Sequence, residues 1–211
     1  VIPIKASKII AIGRNYAAHA KELGNDVPTV PIVFFKPPSA LVGPDDPIVL
    51  PPQSAQVEFE AEVGVVIGRR TKDATSAEAE RAIGGIVCVN DVTARDLQRT
   101  DGQWGRAKGF DTFCPVGPRV ASGLDWRTLE VIGRVNGRER QRAPVSDMIF
   151  SIPTLIQFLS GVMTLEPGDL ICTGTPAGVG PLAAGDVVEV EIPGVGVLSN
   201  PVIAHPSRET T

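Results

Sequence analysis

V57-E-F-E-A-E-V-G-V-V-I-G68 decides how this chain of 211 residues is read. Its Val and Ile content predicts a β-strand, and residues two apart on a strand share a face. Glu58, Glu60 and Glu62 then point one way, and Val57, Phe59, Ala61 and Val63 the other. Like charges stacked on one face repel. Two readings follow: a solvated face that carries acids, or carboxylates gathered around a divalent cation that reverses the sign of the interaction. Asp91 closes a second apolar run, I86-V-C-V-N-D91. Carboxylates at Glu60, Glu62 and Asp91, with no histidine beside them, suit a hard, oxygen-seeking ion such as Mg²⁺ or Mn²⁺.

Working outward, further short Val- and Ile-rich runs recur: I48-V-L50, V131-I-G-R-V135, L170-I-C172, V187-V-E-V-E-I192 and V195-G-V-L198. The 22 Gly and 19 Pro punctuate them. Many short strands with frequent turn signals predict one mainly β domain over 1–211, sandwich or barrel-like, with a few short helices. A77-E-A-E-R-A-I83 reads as a short surface helix. The segment after Ser151 reads as an amphipathic one, with Ser151 as cap, Pro153 in the first turn, and Leu155, Ile156, Phe158, Leu159 and Val162 as its buried stripe. Residues 205–211 read as a frayed tail.

The composition is that of a globular protein, 43% hydrophobic and 21% charged. No apolar run approaches the roughly 20 residues that span a bilayer, and no signal-peptide pattern opens the chain. The first residue is Val, which leaves open a missing or cleaved segment upstream. A net charge of −4 and 5% aromatics argue against nucleic acid as partner. Cys88, Cys114 and Cys172 form no C-x-x-C pair and read as buried, reduced thiols of a cytoplasmic protein.

Other segments carry polar residues that could do chemistry. In G13-R-N-Y-A-A-H-A-K-E-L-G24, Asn15 fits a helix N-cap and Gly24 the position past its end. His19 and Glu22, three apart, share a face. A carboxylate beside an imidazole fixes its tautomer and prepares a general base; a surface histidine with an incidental neighbour has the same spacing. A helix this short is barely stable alone, and we expect it to act as a lid that orders on substrate. In D91-V-T-A-R-D-L-Q98, Thr93 and Asp96 have the spacing of a capping box, which leaves Asp91 free. Arg95 and Gln98 lie on one helix face, toward a site or toward solvent. Lys108 sits in the Gly-flanked R106-A-K-G-F110. T173-G-T-P-A-G-V-G180 is a Gly/Pro loop whose amides and Thr175 hydroxyl could cradle a carboxylate, or simply a turn.

Taken in order, G13-R-N-Y16, H19-A-K-E22, F34-F-K-P37, E60-A-E-V-G64, N90-D-V-T-A-R-D96, A107-K-G-F110, M148-I-F-S151 and T173-G-T-P-A-G-V-G180 resemble the fumarylacetoacetate hydrolase family. The resemblance spans roughly residues 9–200. It implies a β-rich roll with sandwich-like sheets, a homodimer, and one Mg²⁺ or Mn²⁺ on Glu60, Glu62 and Asp91, with Glu58 a neighbour. It implies Lys108, Arg95, Gln98 and Thr175 as groups around the substrate, Arg14 as an added cation, and His19 with Glu22 as the base. The implied substrate is a small keto diacid or acylpyruvate. The implied reaction is hydrolysis of its C–C bond through a pyruvate enolate; decarboxylation of oxaloacetate, or isomerisation of a 2-hydroxyhepta-2,4-diene-1,7-dioate, would share that intermediate. A binding module without catalysis is the rival from another class.

Overall fold

The computed structural model describes residues 2–206. The expected tail at 205–211 lies outside the described residues from 207 onward. The chain runs through β1 (Ile9–Gly13), α1 (Ala17–Glu22), β2 (Ile32–Lys36), β3 (Leu41–Val42), β4 (Ile48–Leu50), β5 (Val57–Phe59) and β6 (Ala61–Ile67). It continues with α2 (Ser76–Ala82), β7 (Ile83–Asn90), β8 (Thr93–Ala94), α3 (Arg95–Asp101), α4 (Gly105–Lys108) and β9 (Cys114–Ala121). Then come β10 (Glu130–Val135), β11 (Arg138–Pro144), α5 (Ile152–Val162), β12 (Leu170–Cys172), β13 (Gly180–Pro181), β14 (Val187–Ile192) and β15 (Gly196–Ala204).

A seven-stranded sheet, β2-β1-β12-β6-β7-β9-β3, faces a five-stranded one, β11-β10-β14-β15-β4, and a small third sheet, β13-β5-β8, flanks them. This is the expected mainly β roll of sandwiched sheets with few, short helices.

β6 shows why its sequence lacks a polar alternation beyond Glu62. Val63, Val65 and Ile67 point into a core shared with Val131, Val190, Ile192, Leu198 and α5. Val66 points into a second core with Val87, Val89, Leu170 and Cys172. A strand buried on both faces reads as a continuous apolar run. Gly64 lies on the second face, where a Cβ would meet Val89 at 2.4 Å.

α5 is capped as expected, the Thr154 amide donating to Ser151 Oγ. Its stripe is narrower than the spacing predicts: Leu155, Ile156 and Leu159 are buried, Phe158 is half-buried, and Val162 is 64% exposed. Val162 ends the helix beyond the edge of the core. α2 forms at the expected place, held by a capping box between Thr75 and Glu78. All three cysteines are buried and free, and burial pushes the Cys88 thiol up to about 12.

Strand register collects the polar segments at one rim. β6 begins where β7 ends, Ala61 opposite Asn90. The end of β12 lies against Gly64, and β1 runs parallel to β12. The segments that follow β1, β7 and β12 therefore leave the sheet beside the start of β6.

Candidate active site

Glu60 sits where the predicted strand is broken. The Asn90 side chain accepts its amide at 3.0 Å, and its carbonyl accepts the Asp91 amide at 2.9 Å. The break does not scatter the acids. Arg95 donates to both Glu58 (2.8 Å) and Glu60 (2.6 Å), so these two still share a side. Ligand atoms of Glu60, Glu62 and Asp91 all lie within 4.8 Å of one another. The solvated-face reading fails: Glu58, Glu60, Glu62 and Asp91 are all buried.

Cations answer the carboxylates. Lys108 bridges Glu60 Oε2 and Asp91 Oδ2, each at 2.7 Å. Lys36, also buried, donates to Asp91 Oδ1 at 2.6 Å. Burial alone would push the Glu60 carboxyl up, but Lys108 and Arg95 outweigh it and hold Glu60 below the usual carboxylate range. Glu62 differs. Burial, with the negative charges of Asp91 and Glu60, pushes it well above that range, and its hydrogen-bond donor is the Gly174 amide at 2.9 Å. An all-oxygen donor set with one carboxylate short of positive charge fits a hard divalent cation.

α1 brings His19 to the same cavity, with Nδ1 3.1 Å from Glu22 Oε2. Glu22 Oε1 accepts the Gly178 amide at 3.0 Å, which ties α1 to the loop after β12. In that loop Thr175 donates to the Ala61 carbonyl (2.9 Å) and accepts from Gln141 (2.7 Å). Gln98 accepts from Arg95 at 2.6 Å. Arg14, His19, Glu22, Glu60, Glu62, Arg95, Gln98, Lys108 and Thr175 all line one cavity of about 630 Å³, so the expected residues converge.

Two local expectations are corrected. Tyr16, not Asn15, occupies the cap position of α1. Asn15 instead donates to the Phe150 and Thr173 carbonyls and accepts the Phe150 amide, stitching β1's exit to β12. Thr93 and Asp96 form no capping box: the cap position of α3 is Ala94. Thr93 belongs to β8 and donates to the Asp91 carbonyl, and Asp96 accepts from Ser54 and the Ala55 amide. Tertiary partners outbid the local motif.

Lys36, Gln141 and Trp104 carried no expected role. Lys36 had a readable signal, a lone cation closing the apolar run I32-V-F-F-K36, as Asp91 closes its own. Gln141 had none, lying in the charged run R138-E-R-Q-R142. It donates to Thr175 and the Pro176 carbonyl and accepts the Ala61 amide.

A β-roll with a buried oxygen-donor cluster, ringed by cations and open to a cavity, is suited to a hard cation and a small acid. The chain belongs to the fumarylacetoacetate hydrolase family: the model for "Fumarylacetoacetate (FAA) hydrolase C-terminal" matches residues 8–203. A mitochondrial oxaloacetate tautomerase of Bos taurus is 42% identical over 211 residues, covering 94% of this chain and 67% of that protein. The solved 5-carboxymethyl-2-hydroxymuconate delta-isomerase of Mycobacterium smegmatis is 50% identical, with a TM-score of 0.91, covering 98% of this chain and 82% of that one. The fumarylpyruvate hydrolase of Pseudomonas aeruginosa, solved with Mn²⁺ and pyruvate, is 34% identical, with a TM-score of 0.90, covering 96% of this chain and 91% of that one. Family members are thus enzymes that cleave or isomerise small keto acids. No helix among the described residues is long and apolar enough to cross a membrane.

Proposed function

We propose that this protein cleaves the C–C bond of an acylpyruvate-type 2,4-dioxo acid by hydrolysis. The observation that carries the reading is the His19–Glu22 pair, set at 3.1 Å in the cavity that holds the carboxylate triad. A water nucleophile needs a base. One Mg²⁺ or Mn²⁺ on Glu60, Glu62 and Asp91 would supply the Lewis acidity that stabilises an enolate.

The residues of the chain do the rest. Glu22 holds His19 Nδ1, which leaves Nε2 to take a proton from water. The hydroxide adds to the C4 carbonyl, the C3–C4 bond breaks, the acyl group leaves as a carboxylic acid, and the enolate takes a proton at C3 to give pyruvate. Lys108, Arg95 and Gln98 orient the acid head, and Thr175 with its loop closes the wall behind it. Two copies of the chain and a cytoplasmic setting belong to the same reading; sedimentation of the purified protein tests the first.

A second reading is favoured by the 50% and 42% identity to proteins named for isomerisation and tautomerisation. Here His19 would move a proton at C3 of a keto diacid without cleavage. The deciding experiment compares Mg²⁺-loaded and EDTA-treated protein on acetylpyruvate and on oxaloacetate. Metal-dependent loss of acetylpyruvate at the higher rate supports hydrolysis. Preference for oxaloacetate overturns it, and the product, pyruvate or the enol form, then separates decarboxylation from tautomerisation.

A further inference from the structure

A second cleft lies at the far end of β6. The strand starts beside the carboxylate cluster and ends at Ile67, so Gly68 stands about 20 Å from Glu62 at roughly 3.3 Å per residue. There Arg69, Arg70, Lys72 and Arg81, with Glu78, line a cavity of about 220 Å³.

A crossing of two chain segments puts these cations together. The Gly68 amide donates to the Ala82 carbonyl at 2.8 Å. A Cβ on Gly68 would lie 2.7 Å from the Gly84 backbone, and one on Gly84 would lie 2.6 Å from Gly68. The exit of β6 and the end of α2 therefore touch backbone to backbone. Arg69 and Arg81, beside the crossing, face one cleft.

The floor of the cleft is fixed. Thr71 and Leu165 exchange backbone hydrogen bonds of 2.9 Å, and the Asp73 amide donates to the Ser160 carbonyl at 3.0 Å. Thr71 Oγ1 donates to the Arg69 carbonyl at 2.9 Å. A ligand meets groups already in place, which lowers the ordering cost of binding.

The four cations are not alike. Arg70 pairs with Glu166 at 3.2 Å and Lys72 with Asp73 at 2.7 Å. Lys72 also donates to the Ser160 and Gly161 carbonyls. Among the described residues, no carboxylate lies in ion-pair reach of Arg69 or Arg81, and neither guanidinium makes a hydrogen bond. The carboxylate that lines the cleft, Glu78, is engaged through Oε2 by the Thr75 amide and hydroxyl. Two guanidiniums on separate elements can each offer a fork to one anion. A monocarboxylate satisfies one of them; a tetrahedral dianion has oxygens for both. The flanking acids Asp73 and Glu166, and a net charge of −4, oppose an extended polyanion such as nucleic acid.

We propose that this cleft binds a compact phosphoryl anion, inorganic phosphate or a phosphomonoester, between Arg69 and Arg81. The site is separate from the carboxylate cluster and does not depend on which keto acid the protein processes.

The test is calorimetric titration of EDTA-treated protein with inorganic phosphate, with glycerol 3-phosphate and with acetate. One saturable site is expected for the phosphoryl probes and a weaker response to acetate. Arg69→Gln and Arg81→Gln should each weaken phosphoryl binding about tenfold or more, and Arg69→Lys should recover part of it. Both arginines are exposed, and turnover of Mg²⁺-loaded variants should match that of the unaltered protein. Tighter phosphate than ester would assign the free anion, and the reverse order a phosphomonoester; either supports the site. No saturable binding at millimolar phosphate, or acetate bound as tightly, overturns it. Binding unchanged in both glutamine variants also overturns it, because the anion then sits among the cations of the main cavity. Should either glutamine variant not fold, Arg81→Lys and Arg69→Lys together carry the same comparison.

Discussion

Glu22 and Gly178, 156 residues apart in sequence, are joined by a 3.0 Å hydrogen bond from the Gly178 amide to the Glu22 carboxylate. The other oxygen of that carboxylate meets His19. One side chain therefore both orients the imidazole and fastens its six-residue helix to the opposite wall.

His19→Ala is expected to lower kcat roughly a hundredfold or more while Mg²⁺ binding survives. Glu22→Gln keeps an acceptor for the Gly178 amide but turns its NH₂ toward His19 Nδ1, which reverses the tautomer, so kcat should fall while the helix stays fastened. Hydrogen exchange over residues 17–22 then separates the two roles of Glu22: protection should fall in Glu22→Ala and persist in Glu22→Gln. Full turnover by His19→Ala would remove the imidazole from the mechanism.

Glu60→Ala and Asp91→Ala are each expected to abolish stoichiometric Mg²⁺ binding, read by calorimetry, together with activity. Either variant retaining one bound ion would contradict the donor set.

Lys108→Met leaves two buried carboxylates without their shared cation. Each keeps one cation, Arg95 on Glu60 and Lys36 on Asp91, so losing the shared one should cost about 1–3 kcal/mol. Thermal unfolding in EDTA should show that loss, and saturating Mg²⁺ should reduce it by restoring positive charge at the same oxygens. An equal loss with and without the ion would place Lys108 away from the metal's field.

Asp169 anchors the start of β12 far from the chemistry. It accepts from Ser7 (2.6 Å), from the Glu166 amide (2.7 Å) and from the Lys8 ammonium. Burial pushes its carboxyl up, but these bonds prevail and hold it below the ordinary range. The stabilisation is therefore present above the ordinary aspartate pKa of about 4 and lost as pH falls below it. Asp169→Asn should cost about 1–3 kcal/mol at neutral pH, and denaturant unfolding should show the gap narrowing toward pH 3.

Much of the site could be read from residues because chemistry and periodicity agreed. Glu60 and Glu62 keep one side, Asp91 closes its strand, and His19 meets Glu22, all as spacing predicts. What failed was decided by distant partners. Asn15 has a cap's composition, but the Phe150 and Thr173 carbonyls claim it. Thr93 has a cap's spacing, but β8 claims it for pairing with β5. Gln141 was invisible, because nothing in a charged run tells that one amide turns inward across the sheet boundary. Of the seven-stranded sheet only β6, β7 and β12 were legible as strands; β1, β2, β3 and β9 were not, and neither was the order, since β12 inserts between β1 and β6 from over 100 residues away.

That insertion bears on how the protein comes to exist. β1 pairs with β2 at once, but its other neighbour is β12, Ile9 opposite Leu170, so the first strand made waits for nearly the whole chain before that edge is covered. Such topologies close large loops before contacts repay them and fold slowly. During synthesis the edges of β1 and β6 would stand open as templates for wrong pairing. A nascent chain that stalls before residue 170 has Glu60, Glu62 and Asp91 on the paired β6 and β7, but not the Gly174 amide that holds Glu62.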